Sequence, residues 1–371
     1  MSEPIRNFRE NRAGRKKIKM KKLKTGIALA VICMVAAPLL AQAVSKMEEP
    51  AGKMSSSEMT TASDIPTMSQ FFDAIYAGSS SLNASPASGD ESEYKVFLSA
   101  SGKVIALTPK AYLRGAAAAE MPLEYPDEAL KAQIVAAHTY AVSYKIRERS
   151  SPTASLAGAD ISDDPAVGQA YIGDEEIKKL YPDDWEEQIA RLDKLVEEVG
   201  DLIMVYEGEP IVATYHAISC GKTESAQNIW GAYSPYLVGV DSSGDEQSPD
   251  YLSKVMLSTD EVKTALEKAG CELPSDQKKW FEELLRTPAG YVSAAKIGGI
   301  SLTGLQLREL FGLRSACFEV AYKNSEFTFS VKGWGHGVGM SQYGAGALAK
   351  AGKTYSQILK TYYKGISFCE L

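Results

Sequence analysis

The pattern of apolar and polar positions changes several times along this chain, and each change marks a boundary. Residues 25–45 (TGIALAVICMVAAPLLAQAVS) form an uninterrupted stretch with no charged side chain. About 20 such residues suffice for a helix to span a bilayer. The pattern is lost over residues 46–91, where Ser, Ala, Met, Thr and Glu dominate and Pro66 and Pro86 intervene. That composition predicts a largely disordered spacer. A short apolar patch within it, residues 71–76, suggests a docking turn or a transient helix.

Order is predicted from residue 93 onward. Residues 94–99 and 103–107 alternate around Ser101-Gly102, as in a hairpin. Thr108-Pro109 supplies an N-cap followed by a proline at the first helical position. This helix should reach Glu120 and stop before Met121-Pro122, because the residue ahead of a proline is pushed out of the α region. Pro126-Asp127-Glu128 opens a second helix, which runs to about Arg149. Its apolar stripe is Leu130, Ile134, Ala137, Ala141 and Tyr144.

Residues 150–184 read as an acidic loop. Trp185, Ile189, Leu192, Val196 and Val199 mark an amphipathic helix closed by Gly200. Residues 202–206 and 210–219 are strand-like around Glu207-Gly208. Residues 250–287 look helical, and 289–332 look like short strands around a helix at 303–311. Helices over 341–351 and 355–363 close the chain. This mixture predicts an α+β fold. Helices and short antiparallel strands would form a substrate groove, preceded by a single N-terminal transmembrane helix, with neither βαβ regularity nor repeats.

Charge refines this layout. Residues 1–24 hold ten basic and two acidic side chains, although the whole 371-residue chain carries −7. The body is therefore strongly acidic, which argues against a nucleic-acid partner. A basic segment before an apolar span keeps the N-terminus in the cytoplasm and places the body outside. The expected organisation is a cytoplasmic tail (1–24), a signal anchor (25–45), a linker (46–92) and an extracytoplasmic domain (93–371). Ala41-Gln42-Ala43 also fits a signal-peptidase site, and cleavage there would export the body equally. Besides Cys33 in the apolar stretch, Cys220, Cys271, Cys317 and Cys369 permit disulfides, but their spacing assigns none.

Three constellations could carry chemistry. Glu120 lies among Ala116 to Ala119, Met121 and Pro122, which offer little to solvate a charge. Poor solvation and a helix C-terminus both raise a carboxyl pKa toward that of a general acid; the alternative is an ordinary solvated glutamate. The second constellation runs from Thr214 to Ser225 and includes His216, Ser219, Cys220, Lys222, Thr223 and Glu224. A polar loop after a strand is a common binding surface. His216 and Cys220 could begin a zinc site, but no third ligand has suggestive spacing. Cys220 could also be a nucleophile, or the loop could be purely structural. The third is GWGHGVGMSQYG, residues 333–344. It is neither a P-loop nor a dinucleotide fingerprint. Trp334, His336, Gln342 and Tyr343 suit a sugar, with ring faces for pyranoses and polar groups for hydroxyls; a tight structural crossing would also use such glycines.

Glu120-Met121-Pro122, the stretch from Glu128 to Gln133, and Ser219 to Glu224 together resemble the stage II sporulation protein D and LytB family. Trp230-Gly231, Pro235-Tyr236-Leu237, residues 312–315 and residues 333–345 extend the resemblance in the same order, over about residues 95–368. The resemblance implies a lytic transglycosylase acting on peptide-stripped peptidoglycan glycan strands during sporulation engulfment, with Glu120 as the essential acid and no cofactor. It implies as partners a peptidoglycan amidase and a membrane scaffold. His138 stands where the pattern has Arg, and Cys220 where it has Gly. Zinc is reported for some relatives, but the ligand set is not matched here.

Glycosidases ordinarily use two carboxylates. A lytic reaction needs one, which protonates the glycosidic oxygen and then takes the proton of the muramic C6 hydroxyl as it closes on C1. Lactyl carboxylates on the substrate call for local cations, with Lys222 and Lys332 as candidates. Two other classes remain: a non-catalytic glycan-binding scaffold and a Cys220 thiol hydrolase.

Overall fold

A computed structural model describes residues 93–371. The basic tail, the apolar stretch 25–45 and the spacer with its 71–76 patch lie outside the described residues. Among the described residues, no helix is long and apolar enough to cross a membrane.

Strands β1 (Tyr94–Leu98) and β2 (Lys103–Leu107) form the expected antiparallel hairpin. Helix α1 (Pro109–Glu120) begins where its cap signals place it, with the Thr108 hydroxyl accepting from Ala111 N. Its small residues Gly115 to Ala118 are buried against helix α2 (Asp127–Ser150). The sequence predicts a one-sided stripe on α2, whereas every residue from 132 to 144 is buried. The cause is that helices pack around it on several sides. These are α1, α4 (Trp185–Val199), α8 (Gln342–Lys350) and α9 (Tyr355–Tyr362), together with strand β4 (Leu202–Tyr206). His138, in the middle of α2, is 4% exposed, and burial pushes its pKa down to about 4. The ring is therefore neutral at ordinary pH, and no charge stands where the family pattern has Arg.

Several expectations need correction. Residues 150–184 contain strand β3 (Ile161–Ser162), parallel to β1, and helix α3 (Asp174–Leu180). Gly200 ends α4 in a right-handed conformation, so the left-handed glycine stop is not used. Of the strand-like run 210–219, only β5 (Glu209–Pro210) pairs with β4. The other edge of β4 is covered by β14 (Ser367–Glu370), which the sequence did not suggest. The rest of that run is irregular until β6 (Tyr215–His216), which pairs in parallel with β13 (Met340–Ser341) and is followed by the short helix α5 (Ala226–Trp230).

Residues 250–287 are largely not helical. They hold β7 (Leu252–Ser258), helix α6 (Thr259–Lys268) and β8 (Glu283–Arg286). The seven residues of β7 alternate between exposed and half-buried, and long-range pairing with β12 (Glu326–Lys332) decides their state. The predicted strands around one helix are present as β9 (Val292–Ile297), β10 (Ile300–Thr303), α7 (Gly304–Leu310) and β11 (Phe318–Lys323). The sheets β8-β9-β10 and β11-β12-β7 enclose an aromatic core of Trp280, Phe281, Phe311, Phe318, Phe327 and Phe329. A larger core surrounds α2. The fold is α+β with short, mainly antiparallel strands.

Candidate active site

Glu120 is the last residue of α1 and is half-buried. One carboxylate oxygen accepts the backbone N–H of Ala170 at 3.0 Å. The side chains of Tyr215 and Gln342 also hydrogen-bond to it. Desolvation outweighs these three contacts and pushes the carboxyl pKa up to about 7. Among the described residues, the groups that act on this carboxyl are neutral hydrogen-bond donors, so the shift is that of an acid desolvated among neutral dipoles.

A relay of neutral side chains orients the donors. The Tyr112 hydroxyl donates to Gln169 Oε1 at 2.5 Å, and Gln169 Nε2 donates to the Tyr215 hydroxyl at 2.7 Å. Tyr215, thus supplied, is free to donate onward to Glu120. Gln342 is the first residue of α8, and its Nε2 also reaches Gln133 Oε1 on α2 at 3.3 Å. Three distant segments therefore converge on one carboxyl: β6, the start of α8 and the loop around residue 170.

His216 and His336 form a separate cluster. Their rings lie 5.6 Å apart, and Trp230 packs on His336 at 5.0 Å. Val338 binds both: its carbonyl accepts from His216 Nδ1 at 3.2 Å, and its N–H donates to His336 Nδ1 at 3.1 Å. His216 Nε2 is buried without a partner. Burial and the nearby Arg308 guanidinium drive both imidazoles toward the neutral form, His216 to about 4. The close crossing depends on Gly335, with φ +109°, because a Cβ there would stand 2.7 Å from His216 Cβ. Tyr215 turns to Glu120 while the next residue turns to Val338, as alternation along β6 requires. The histidines therefore do not join the Glu120 contacts.

A third cluster is structural. Asp245, fully buried, accepts from Ser219 N (2.9 Å), Ser219 Oγ (2.5 Å), Ser242 Oγ (3.0 Å) and Ser341 Oγ (2.8 Å). It ties the loop after β6 to the N-cap of α8.

Comparison with known proteins gives these residues a context. The profile of a family described as "Stage II sporulation protein" matches residues 99–206. Stage II sporulation protein D of Bacillus subtilis is 33% identical over 93% of this chain and 95% of its own length. The Bacillus amyloliquefaciens protein of the same name is 37% identical over 70% of the chain and 73% of its own. The chain belongs to the stage II sporulation protein D family. A B. subtilis "Amidase enhancer" is also similar, at 30% identity over 68% of this chain and 39% of the enhancer.

Within this family the predicted binding residues separate into groups. Gln342, read from the sequence as a sugar-binding candidate, is instead brought to Glu120, where it hydrogen-bonds to the carboxylate. Ser219 and Thr223 are buried and bonded inward, Thr223 to Val240. The Glu224 carboxylate is occupied by Ser225 N, Asn228 Nδ2 and Ala289 N, so it shapes the loop. Lys222 and Lys332 are exposed. Arg314 covers one face of the half-buried Trp334 indole at 4.3 Å. Tyr343, with Tyr125, Gln247, Gly346, Ala347 and Lys350, lines a cavity of about 220 Å³.

Among the described residues, no group of three or more His, Cys, Asp or Glu stands together as a metal site. The Cys220 thiol instead faces the Ala289 carbonyl at 3.1 Å. Sequence reasoning missed Tyr215, Gln169 and Ala170. Tyr215 stands beside a singled-out histidine, but nothing local marks residues 169 and 170.

Proposed function

We propose that the chain is a membrane-anchored lytic transglycosylase. It cleaves peptide-stripped peptidoglycan glycan strands to 1,6-anhydro-muramyl ends during wall remodelling in sporulation engulfment. The observation that carries this reading is the Glu120 carboxyl held by three neutral donors, Ala170 N–H, Tyr215 and Gln342, with its pKa pushed up to about 7 by burial. Such a group is protonated often enough near neutral pH to donate and is basic enough to recover the proton.

In the reaction, Glu120 gives its proton to the glycosidic oxygen as the C1–O bond breaks. Ala170 N–H, Tyr215 and Gln342 hold the carboxylate that results. The C6 hydroxyl of the same muramic residue attacks C1, and its proton returns to Glu120. The nucleophile is intramolecular, so proximity replaces the second carboxylate of an ordinary glycosidase. The cavity between Tyr125 and Tyr343, with Lys350 at its edge, suits a sugar ring bearing a lactyl carboxylate.

The apolar stretch 25–45 behind its basic tail supports a single-pass anchor with the domain outside the cytoplasm. The similarity to an amidase enhancer supports a partnership with an amidase that strips stem peptides, together with a membrane scaffold. The test is digestion of peptide-stripped glycan by the wild-type chain and by Glu120→Gln. The wild type should shorten the strands and the variant should not. A variant that shortens strands at the wild-type rate would remove Glu120 from the mechanism, and a wild-type chain that retains strands intact would favour a scaffold.

A further inference from the structure

Cys220 and Cys317 lie outside the contacts of Glu120 and face one another across the boundary between the two cores. Cys220 sits in the loop after β6, four residues beyond His216, while Cys317 directly precedes β11 of the aromatic unit. The Cys220 sulfur lies 3.1 Å from the Ala289 carbonyl oxygen, and the Cys317 sulfur 3.5 Å from the Gly290 carbonyl oxygen. These are adjacent carbonyls of one turn. The two thiols also hydrogen-bond to each other. Tyr291 and Ala316 pack around the pair, and the Tyr291 hydroxyl accepts from Cys220 N at 3.3 Å. Backbone and side chain therefore hold both sulfurs in place before any bond forms.

We propose that Cys220 and Cys317 are a disulfide-forming pair, which staples the aromatic unit to the α2 core in an oxidising medium. The proposal is independent of the glycan chemistry. The staple would close a loop of about a hundred residues, and long closed loops gain most from a cross-link in the chain-entropy view. Cys271 is buried within the aromatic core and Cys369 is exposed on β14, so neither replaces a member of this pair.

The two sulfurs have distinct roles. Cys220 is the half-buried, reachable one, and the hydrogen bond from Cys317 holds its thiol below the usual thiol range. The Cys317 thiol is pushed up by donating that bond and by burial. With a low-molecular-weight disulfide such as glutathione disulfide as oxidant, the Cys220 thiolate attacks one sulfur and expels one glutathione thiolate, which takes up a proton. Cys317 then loses its proton, attacks the Cys220 sulfur and expels the second glutathione. Two protein thiols are oxidised by two electrons, and one glutathione disulfide becomes two thiols.

The test uses the full chain, incubated folded with glutathione disulfide, alkylated after unfolding and digested without reductant. The expected result is a cross-linked peptide pair containing residues 220 and 317, with neither cysteine alkylated, and a higher Tm than after dithiothreitol. In Cys220→Ser the cross-link and the redox dependence of Tm should both vanish. Should that variant not fold, the wild-type peptide map decides alone. Alkylation of both cysteines, a cross-link to Cys33, Cys271 or Cys369, or a cross-link that leaves Tm unchanged would overturn the proposal.

Discussion

The backbone N–H of Ala170 donates to the Glu120 carboxylate at 3.0 Å, across a sequence separation of 50 residues. A backbone donor cannot be titrated and is not removed by side-chain substitution. In the proposed reaction it would hold the carboxylate formed after proton donation in place for the return of the proton.

The first prediction concerns pH. The carboxyl pKa is about 7, so the proton-donating form is lost as pH rises through that value. Strand cleavage should therefore decline on the alkaline side of pH 7. Tyr215 lowers this pKa by hydrogen-bonding the carboxylate. Tyr215→Phe should move the alkaline limb upward while reducing the maximal rate, and pH–rate profiles of the two proteins check both effects.

The second concerns stability. A carboxyl whose folded pKa is raised favours folding less once it must ionise. Stability contributed by this site is present below the unfolded value of about 4.5 and is lost as pH rises through about 7. Glu120→Gln should therefore melt above wild type at pH 8 and converge with it near pH 4. The gap at pH 8 should be about 1–3 kcal/mol, discounted for the partial exposure of the side chain. Thermal melts across this range measure it.

A third prediction follows from Asp245. Its carboxylate satisfies donors from three segments, and Asp245→Ala would leave them buried and unpaired. The expected cost is about 2–4 kcal/mol, read from denaturant unfolding. Because Ser341 caps the helix that begins with Gln342, activity should fall as well.

The fourth uses Gly339, which has φ +75° and would place a Cβ 2.0 Å from the Thr214 carbonyl oxygen. Gly339→Ala should force β13 away from β6 and shift Tyr215 relative to Glu120. Loss of cleavage with only partial loss of folded protein by circular dichroism is the expected outcome.

These sites differ in how visible they are from sequence. The ends of α1 and α2 are legible because Thr108-Pro109 and Pro126-Asp127 act locally on their own backbone. Glu120 and Gln342 are legible through motifs shared with a family, although their meeting is a tertiary event. Gln169 and Ala170 carry no local signal, because an irregular segment takes its position from the helices it packs on. The alternation of β7 misled as a helix, since its pairing partner lies far along the chain in β12. His216 and His336 are singled out by type as sugar-binding candidates and meet each other in the fold, a tertiary event that neither segment announces locally.

The central claim is a one-carboxylate lytic reaction, and the chemistry of the new chain ends tests it most directly. Mass spectrometry of products from peptide-stripped glycan should find 1,6-anhydro-muramyl ends, each lighter by one water than a hydrolytic end, and none with Glu120→Gln. Products carrying free reducing muramic ends would contradict the account, because water rather than the C6 hydroxyl would then be the nucleophile.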